Sequence, residues 1–276
     1  MNSTKDLRIR FVGAGNMAAS LIGGLLNKGL TASQISASDP GLAQRDYIKD
    51  TFRIMVHEDN NAHFGMPDIV VLAVKPQVMK QVLADVKASI LTNEPLVISV
   101  AAGITTAQIE RWLSPQLSVV RTMPNTPALI GQGAIGMFAN EQVKDAQKRM
   151  TEQIMDAVGT SVWLSKESQV DAVTALSGSG PAYFFMFMEH LQAAAEQLGL
   201  TAEDAALLTK KTAVGAALLA ERSDESLATL RERVTSPNGT TAAALDAFAR
   251  QHVDEVINQA VQAANERSVT LSREFD

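Results

Sequence analysis

The sequence predicts an α/β chain in which an N-terminal doubly wound sheet is followed by an all-helical C-terminal domain. Three observations lead to this prediction. Short apolar runs alternate with helical patterns in the first part of the chain. A glycine-rich turn follows the first of these runs and opens a helix. After about Lys166 the strand signals stop. We therefore predict one domain over residues 1–165 and a second over residues 166–276.

The apolar runs of the first domain have the length of strands. Asp68–Val74 and Pro95–Val100 are apolar at nearly every position, as in a parallel sheet that is covered by helices on both faces. Proline and glycine bound several of the runs. The predicted strands are Leu7–Val12, Gln34–Ser38, Asp68–Val74, Pro95–Val100, Leu117–Thr122, Gly133–Phe138 and Ser161–Leu164.

Helix signals dominate the second domain. A helix is predicted from Pro181, which suits a first helical position, to Leu198, which Gly199 follows. Thr201 begins a Thr-Ala-Glu-Asp capping pattern for a helix to about Arg222. The alanine-rich segments suit close helix packing within or between subunits. The two remaining predicted helices lie near Thr241–Gln251 and Val253–Leu271.

The composition is that of an ordinary globular protein and excludes several functions. The chain has 276 residues, a net charge of −6 and no cysteine. The charge offers no basic excess for a phosphate backbone, so we expect no nucleic-acid partner. The lack of cysteine excludes disulfides and thiolate chemistry and fits a reducing cytosol. The four histidines are scattered without metal-ligand spacing, so no metal is expected.

Neither a secretory signal nor a membrane span is predicted. Residues Met1–Arg10 are polar and lack an apolar core. The longest apolar stretches, around Ile69–Val74 and Leu96–Ala102, are far shorter than the ~20 residues that cross a bilayer. We therefore expect a cytoplasmic protein without a membrane partner.

A dinucleotide-binding fingerprint follows the first predicted strand. The segment Gly13-Ala14-Gly15-Asn16-Met17-Ala18 has the pattern G-x-G-x-x-A between a strand and a helix. Gly13 allows the tight turn, Gly15 allows the backbone to approach a pyrophosphate, and Ala18 allows close packing of the helix on the sheet. The pyrophosphate would lie at the helix N-terminus. The first domain is therefore predicted to be of the Rossmann type.

The choice between NAD and NADP stays open. Asp39 ends the second strand, 24 positions after Gly15, where an acidic residue accepts hydrogen bonds from ribose hydroxyls and repels a 2′-phosphate. Ser36, Ser38 and Arg45 lie nearby and could instead hold that phosphate. A solvated turn residue before a proline is the alternative reading of Asp39.

Four further turns combine small, polar and proline residues. Lys75, within Ala73-Val74-Lys75-Pro76, lies at the carboxyl end of a strand, where it could meet a coenzyme phosphate or a substrate carboxylate or be solvated. The turns Ser177–Pro181 and Ser236–Thr241 each precede a predicted helix and could present N–H groups to an anion. Ordinary capping is the alternative. Asn125, between two prolines, could orient a ligand or belong to a stiff crossover.

These motifs together resemble the pyrroline-5-carboxylate reductase family essentially from end to end. The later motifs are much more specific than the glycine-rich turn, which many dehydrogenases share. The segments that carry the resemblance are Gly13–Ala18, Ala73–Pro76, Ala101–Gly103, Met123–Pro127, Asp171–Tyr183 and Val234–Thr241.

The resemblance implies the last step of proline biosynthesis, in which NADPH or NADH reduces the C=N bond of 1-pyrroline-5-carboxylate to give L-proline. Thr241 is expected near the ring nitrogen as the catalytic residue. The substrate carboxylate is expected at the loop of Ser236, Gly239, Thr240 and Thr241. The implied coenzyme-binding residues are Gly13, Gly15, Asn16, Met17, Ala18, Ser38, Asp39, Asn60, Ala73, Val74, Lys75 and Pro76.

The sequence departs from the family at two positions. Asn238 stands where members often have glycine, and asparagine tolerates the left-handed backbone, so little effect is expected. Asp39 stands where members that prefer NADPH often have serine, which puts that preference in doubt here.

The family's active site implies an intimate homodimer that assembles into a larger homo-oligomer. Two other functions remain as alternatives. One is a related reductase of another cyclic imine or a β-hydroxy acid, although the residues around Lys210 and Lys211 do not match the latter's motif. The other is a dinucleotide sensor without catalysis, which would need no carboxylate loop. Turnover of an imino acid separates them.

Overall fold

An eight-stranded sheet organises the N-terminal part of the chain. The computed structural model describes residues 7–275. The strand order is β3-β2-β1-β4-β5-β6-β7-β8, and neighbouring strands are parallel except for the antiparallel pair β6 and β7. The reversal of strand order at β1 confirms the predicted doubly wound fold. The strands are β1 Ile9–Val12, β2 Ile35–Ser38, β3 Met55–His57, β4 Ile69–Leu72, β5 Leu96–Ser99, β6 Val119–Met123, β7 Gly133–Ala139 and β8 Gly159–Trp163.

Helices cover the sheet and make up most of the C-terminal part, as predicted. Thr201 caps its helix, since its hydroxyl accepts the N–H of Asp204 at 3.1 Å. The helices are α1 Asn16–Asn27, α2 Leu42–Phe52, α3 Pro76–Asn93, α4 Thr106–Trp112, α5 Asp145–Met155, α6 Gln169–Val173, α7 Gly180–Gln197, α8 Ala202–Glu221, α9 Leu227–Arg233, α10 Thr240–Arg250 and α11 Val253–Glu274.

The core lies on both faces of the sheet. In β4, Ile69 and Val71 belong to one buried apolar cluster, whereas Val70 and Leu72 belong to another. All four residues of this strand are buried. This explains why the strand reads as a continuous apolar run rather than as an alternating one.

Among the elements that were not predicted are β3 and α9. β3 has three residues, lies at the edge of the sheet and exposes Met55, so it lacks the buried run that identifies the other strands. α9 has seven residues and no buried residue among them. Short elements of this kind have little apolar periodicity to be recognised by.

The described chain forms two compact units, residues 7–179 with 264–275, and residues 180–263. The end of α11 belongs to the first unit, because the Ser268 hydroxyl donates to Asp171 at 2.8 Å and the Gln108 amide donates to the carbonyl of Ser272 at 2.8 Å. The bounds of these units differ from 1–165 and 166–276, and that division into a dinucleotide-binding and a helical domain stays a prediction.

Candidate functional site

The glycine-rich turn between β1 and α1 requires glycine at Gly13. Its φ of +93° is unfavourable for other residues, and a Cβ there would lie 2.6 Å from the carbonyl oxygen of Ala73. The Gly13 N–H donates to the carbonyl of Ser38 at 2.9 Å, and the Ala73 N–H donates to the carbonyl of Val12 at 2.8 Å. The turn is thus packed between the carboxyl ends of β2 and β4.

Gly15 has no comparable reason within the protein to be glycine. Its φ is −65°, and a Cβ there would meet no protein atom within 4 Å. It is the N-cap of α1, and among the described residues no side chain caps this helix end. Ala18, one turn further, is fully buried. The open space at Gly15, in front of an uncapped helix N-terminus, fits a pyrophosphate, whose oxygens would accept hydrogen bonds from the N–H groups there.

The end of β2 is tied to the same turn. Both carboxylate oxygens of Asp39 accept backbone N–H groups, from Ala14 at 3.1 Å and from Gly41 at 2.8 Å. The buried hydroxyl of Ser38 donates to the side chain of Asn60 at 2.8 Å. The structure therefore brings three predicted coenzyme residues, Ser38, Asp39 and Asn60, to the edge of the glycine-rich turn.

Arg45 has partners that compete with a 2′-phosphate. Its guanidinium donates to the carbonyls of Asp39 at 2.9 Å and Pro40 at 2.7 Å, and it forms an ion pair with Glu58 at 3.1 Å. Ser38 is buried and donates to Asn60. Of the groups that the sequence offers for a 2′-phosphate, Arg45 and Ser38 are thus engaged within the protein, while the carboxylate of Asp39 lies beside the glycine-rich turn.

The turn between β4 and α3 completes this group. Lys75 is the N-cap residue of α3 and is exposed, and Pro76 occupies the first helical position. Val74 approaches the glycine-rich turn, since a Cβ on Gly13 would lie 2.8 Å from its Cγ1. The side chain of Asn16 is exposed and that of Met17 is half-buried at the start of α1. These residues lie at the carboxyl ends of β1, β2 and β4, where ligands of such sheets bind.

Sequence reasoning missed two residues beside this group. The Gln44 side chain donates to the carbonyl of Ala14, within the glycine-rich turn. Arg10, in the middle of β1, is fully buried and donates to the carbonyls of Asn60 at 3.1 Å and Ala62 at 3.3 Å. Burial lowers the pKa of Arg10 to about 10, against the opposing effect of Asp59. Charged residues are rarely fully buried, so nothing in the sequence marks Arg10 as a buried contact of this segment.

The loop Ser236–Thr241 lies in the second compact unit and leads into α10. Asn238 has a φ of +58°, so the expected left-handed backbone at this position is confirmed. The Gly239 N–H donates to the carbonyl of Ser236 at 3.0 Å, and a Cβ on Gly239 would lie 3.1 Å from that oxygen. Gly239 is the N-cap of α10, and no side chain of the described residues caps it. Thr240 is exposed and Thr241 half-buried at this helix end.

The turn Ser177–Pro181 leads into α7 as predicted, but the chain before it is helical rather than a loop, and the anion site predicted there stays a prediction. The chain is already helical from Gln169, continues through a π-helical turn at Thr174–Gly178 and enters α7 at Gly180. Pro181 lacks the N–H that would donate to the carbonyl of Ser177, and the Asn125 amide donates to that carbonyl at 2.9 Å instead. The side-chain oxygen Oδ1 of Asn125 accepts the N–H of Ala134 at 2.9 Å, so both ends of this side-chain amide are engaged within the protein.

Two further features of residues 7–275 concern metal ions and membranes. No group of three or more histidine, aspartate or glutamate residues in the described chain could hold a metal ion. Among the described helices none is both long and apolar enough to cross a membrane.

Family models match both parts of the chain. Residues 167–271 match a model described as pyrroline-5-carboxylate reductase dimerisation. Residues 8–103 match a model described as NADP oxidoreductase, coenzyme F420-dependent. The first match supports oligomerisation through the C-terminal region, and the second agrees with the predicted dinucleotide-binding fold of the N-terminal region.

Full-length relatives point to the same family. A pyrroline-5-carboxylate reductase of Pseudomonas aeruginosa is 52% identical over 97% of this chain and 98% of its own length. A structure of a pyrroline-5-carboxylate reductase from Coxiella burnetii has a TM-score of 0.92 and 43% identity, covering 97% of this chain and 99% of that one. A pyrroline carboxylate reductase of Plasmodium falciparum, solved with NADP bound, has a TM-score of 0.86 and 28% identity over 98% and 100%. The predicted resemblance is confirmed, and the chain belongs to the pyrroline-5-carboxylate reductase family.

Proposed function

We propose that this protein reduces 1-pyrroline-5-carboxylate to L-proline with NADPH or NADH, the last step of proline biosynthesis. The observation that carries the proposal is the uncapped N-terminus of α10 behind Gly239, within the region that matches the dimerisation model of this reductase family. A dinucleotide sensor needs no second anion site of this kind. The names of the relatives and the open position at Gly15 support the proposal.

The coenzyme is assigned to the first compact unit. The pyrophosphate would lie on the N–H groups of Asn16, Met17 and Ala18, where the helix dipole favours negative charge. Asp39 would accept the ribose hydroxyls, and Asn60 and Lys75 would lie beside the coenzyme. The coenzyme would contact the main chain of Ala73, Val74 and Pro76. The NADP in the Plasmodium falciparum relative supports the coenzyme class.

The substrate is assigned to the loop in front of α10. Its carboxylate would accept N–H groups of the Ser236–Thr241 segment, with the helix dipole assisting. The hydroxyl of Thr241 would hydrogen-bond to the ring nitrogen. Because a threonine hydroxyl is a poor acid at neutral pH, we assign Thr241 an orienting role rather than proton donation.

The reaction requires little acid–base catalysis by side chains of the protein. When bound, the reduced nicotinamide supplies a hydride to the imine carbon, while the nitrogen gains a proton. A protonated iminium is already electrophilic, so the residues mainly hold two reactants in place. Such positioning contributes up to ~7–11 kcal/mol in well-oriented pairs. This fits a site built from turns and helix ends.

The test of the function is coenzyme oxidation with 1-pyrroline-5-carboxylate, with NADPH and NADH in parallel. Turnover establishes the reaction. Tight binding of either coenzyme without turnover would reject the proposal and favour another cyclic imine, a β-hydroxy acid or the sensor.

The test of Thr241 is the shape-conserving variant Thr241→Val. A hydrogen bond to a charged group contributes about 1.5–3 kcal/mol, so kcat/KM for the imino acid should fall about 10- to 100-fold. The matched control is Thr270→Val, because the exposed Thr270 donates its hydroxyl to the carbonyl of Glu266 within α11, at 2.9 Å, and is not assigned to the substrate loop. Unchanged turnover and substrate affinity in the Thr241 variant would remove this residue from the site.

The protein is further proposed to be a cytoplasmic homodimer that assembles into a larger homo-oligomer, with no nucleic-acid, membrane or metal partner. The match of residues 167–271 to a dimerisation model supports the dimer. So do the large apolar side chains that the second unit exposes, among them Phe184 at 71% and Leu219 at 69%. Light scattering after size-exclusion chromatography measures the mass; a monomer at micromolar concentration would contradict this part of the proposal.

A further inference from the structure

We propose that Arg10 is a positioning residue for coenzyme binding, acting through the main chain of the segment that carries Asn60. The inference rests on the proposed function, because Asn60 is assigned to the coenzyme site there. Arg10 itself belongs to no motif that predicts coenzyme contact.

The contacts of Arg10 are unusual for a strand inside a parallel sheet. Its neighbours Ile9 and Phe11 are apolar and buried, and Arg10 is equally buried at 0% exposure. One guanidinium nitrogen, Nη2, donates to the carbonyls of Asn60 and Ala62, and the group lies 5.8 Å from the centre of the Phe64 ring. Within the described residues, Nε and Nη1 find no acceptor.

A buried guanidinium with unused donors is costly, so its remaining bonds are informative. Burying a charge lowers stability unless hydrogen bonds compensate, whereas an apolar side chain would fill the same place without that cost. The bonds that Arg10 does make all reach one segment, residues 60–64. In the βαβ pattern a helix would lie between β3 and β4, but residues 58–68 form turns and irregular structure. Arg10 fixes this segment from inside the sheet.

Asn60 is thereby held from two sides. Its side-chain oxygen accepts the hydroxyl of Ser38 at 2.8 Å, and its main-chain oxygen accepts Arg10 at 3.1 Å. The carbonyl of Ser38 in turn accepts the N–H of Gly13, in the glycine-rich turn. Without Arg10, Asn60 keeps its hydrogen bond to the Ser38 hydroxyl but loses the one to its main chain. It is then less ordered in the free protein, so coenzyme binding involves a larger loss of conformational entropy.

Other anchors of the same segment provide a comparison. The Asn61 amide donates to the carbonyl of Asp85 in α3 at 2.9 Å, and the Ser89 hydroxyl donates to Asn61 at 2.8 Å. These contacts hold the outer side of the segment and remain when Arg10 is replaced. We therefore expect the replacement to loosen Asn60 without unfolding the segment.

The experiment measures the Kd of NADH by calorimetry in Arg10→Met, Asn60→Ala and the double variant. Arg10→Met should raise Kd roughly tenfold while kcat at saturating coenzyme stays within about twofold. Because Arg10 acts through Asn60, the double variant should bind about as weakly as Asn60→Ala alone. Hydrogen exchange of the free protein over residues 59–64 should speed up in Arg10→Met.

The control is Arg8→Met, which removes the same charge at an exposed position two residues away. It should leave Kd unchanged. If Arg10→Met does not fold, Arg10→Lys, which keeps a charge and a donor, carries the test with a smaller rise in Kd that vanishes in the Asn60→Ala background.

Two failures are distinguishable. A wild-type Kd in Asn60→Ala would refute the assignment of Asn60 to the coenzyme and this inference with it. Two results would overturn the inference alone, given that Asn60→Ala weakens coenzyme binding. One is a wild-type Kd in the folded Arg10 variant, and the other is a double variant in which the two losses of binding free energy add fully.

Discussion

Replacing Gly15 by alanine should separate coenzyme binding from folding. The added methyl group meets no protein atom within 4 Å, and the backbone angles of −65° and −173° are accessible to alanine. The fold therefore gives no steric reason to reject the substitution. The same methyl group would stand where the proposed pyrophosphate approaches the backbone.

The expected stability change is close to zero. Alanine is a poorer N-cap than glycine, by about 1 kcal/mol. It also restricts the unfolded chain, which stabilises the protein by about 0.4–1 kcal/mol. The two terms nearly cancel, so the Tm should shift by no more than about 3 °C in a chain of this size. Coenzyme binding should weaken at least tenfold, or about 1.4 kcal/mol.

Gly13→Ala is the matched contrast. There a left-handed backbone costs an alanine about 1–2 kcal/mol, and its Cβ would lie 2.6 Å from the carbonyl oxygen of Ala73. This variant should lose stability as well as binding. Thermal unfolding and calorimetric titration with NADH and NADPH measure both quantities. Wild-type Kd for both coenzymes in Gly15→Ala would refute the placement of the pyrophosphate at this helix end.

Three other predictions concern charge, hydrogen bonding and pH. Asp39→Asn should raise the ratio of kcat/KM for NADPH over NADH about tenfold, because it removes the negative charge at the ribose position; an unchanged ratio would place Asp39 away from the ribose. Asn125→Ala should destabilise the protein by about 2 kcal/mol, since two part-buried hydrogen bonds to backbone groups are lost, and a Tm within about 2 °C of wild type would contradict this. Burial, helped by Arg10 and His63, lowers the pKa of His57 below 6.5 in the folded state. As the pH drops below 6.5, His57 therefore gains its proton in the unfolded state before it does so in the folded state, and the free energy of unfolding should fall. His57→Gln should make the free energy of unfolding, measured by urea titration, less dependent on pH in this range.

The parts of the fold that the sequence predicts well are those in which local and global requirements agree. The strand β4 is buried on both faces and reads as an apolar run, and the turn at Gly13 needs a glycine for reasons that any such turn shares. The loop before α10 is also predictable, because its backbone requirements are local. Asn238 tolerates the positive φ, and the Gly239 N–H donates to the carbonyl of Ser236 within the loop.

Arg10 could not be predicted because its partners are set by tertiary structure alone. The carbonyls that it contacts lie fifty and fifty-two residues further along the chain. A single arginine in an apolar run looks like a strand end or an exposed edge position. The cost of burying it becomes visible only when the segment after β3 is placed over the strand.

The turn at Ser177–Pro181 shows a different limit of sequence reasoning. Small hydroxyl residues followed by proline usually begin a helix, because the proline has no N–H to leave unpaired in the first turn. Inside a helix the same proline leaves the carbonyl of residue 177 without its donor. Here the side chain of Asn125 supplies the donor. The π-helical turn Thr174–Gly178 lies directly before α7, where the regular helical hydrogen bonding is interrupted. The substitute is fifty-two residues away, so the sequence around Ser177 cannot reveal it.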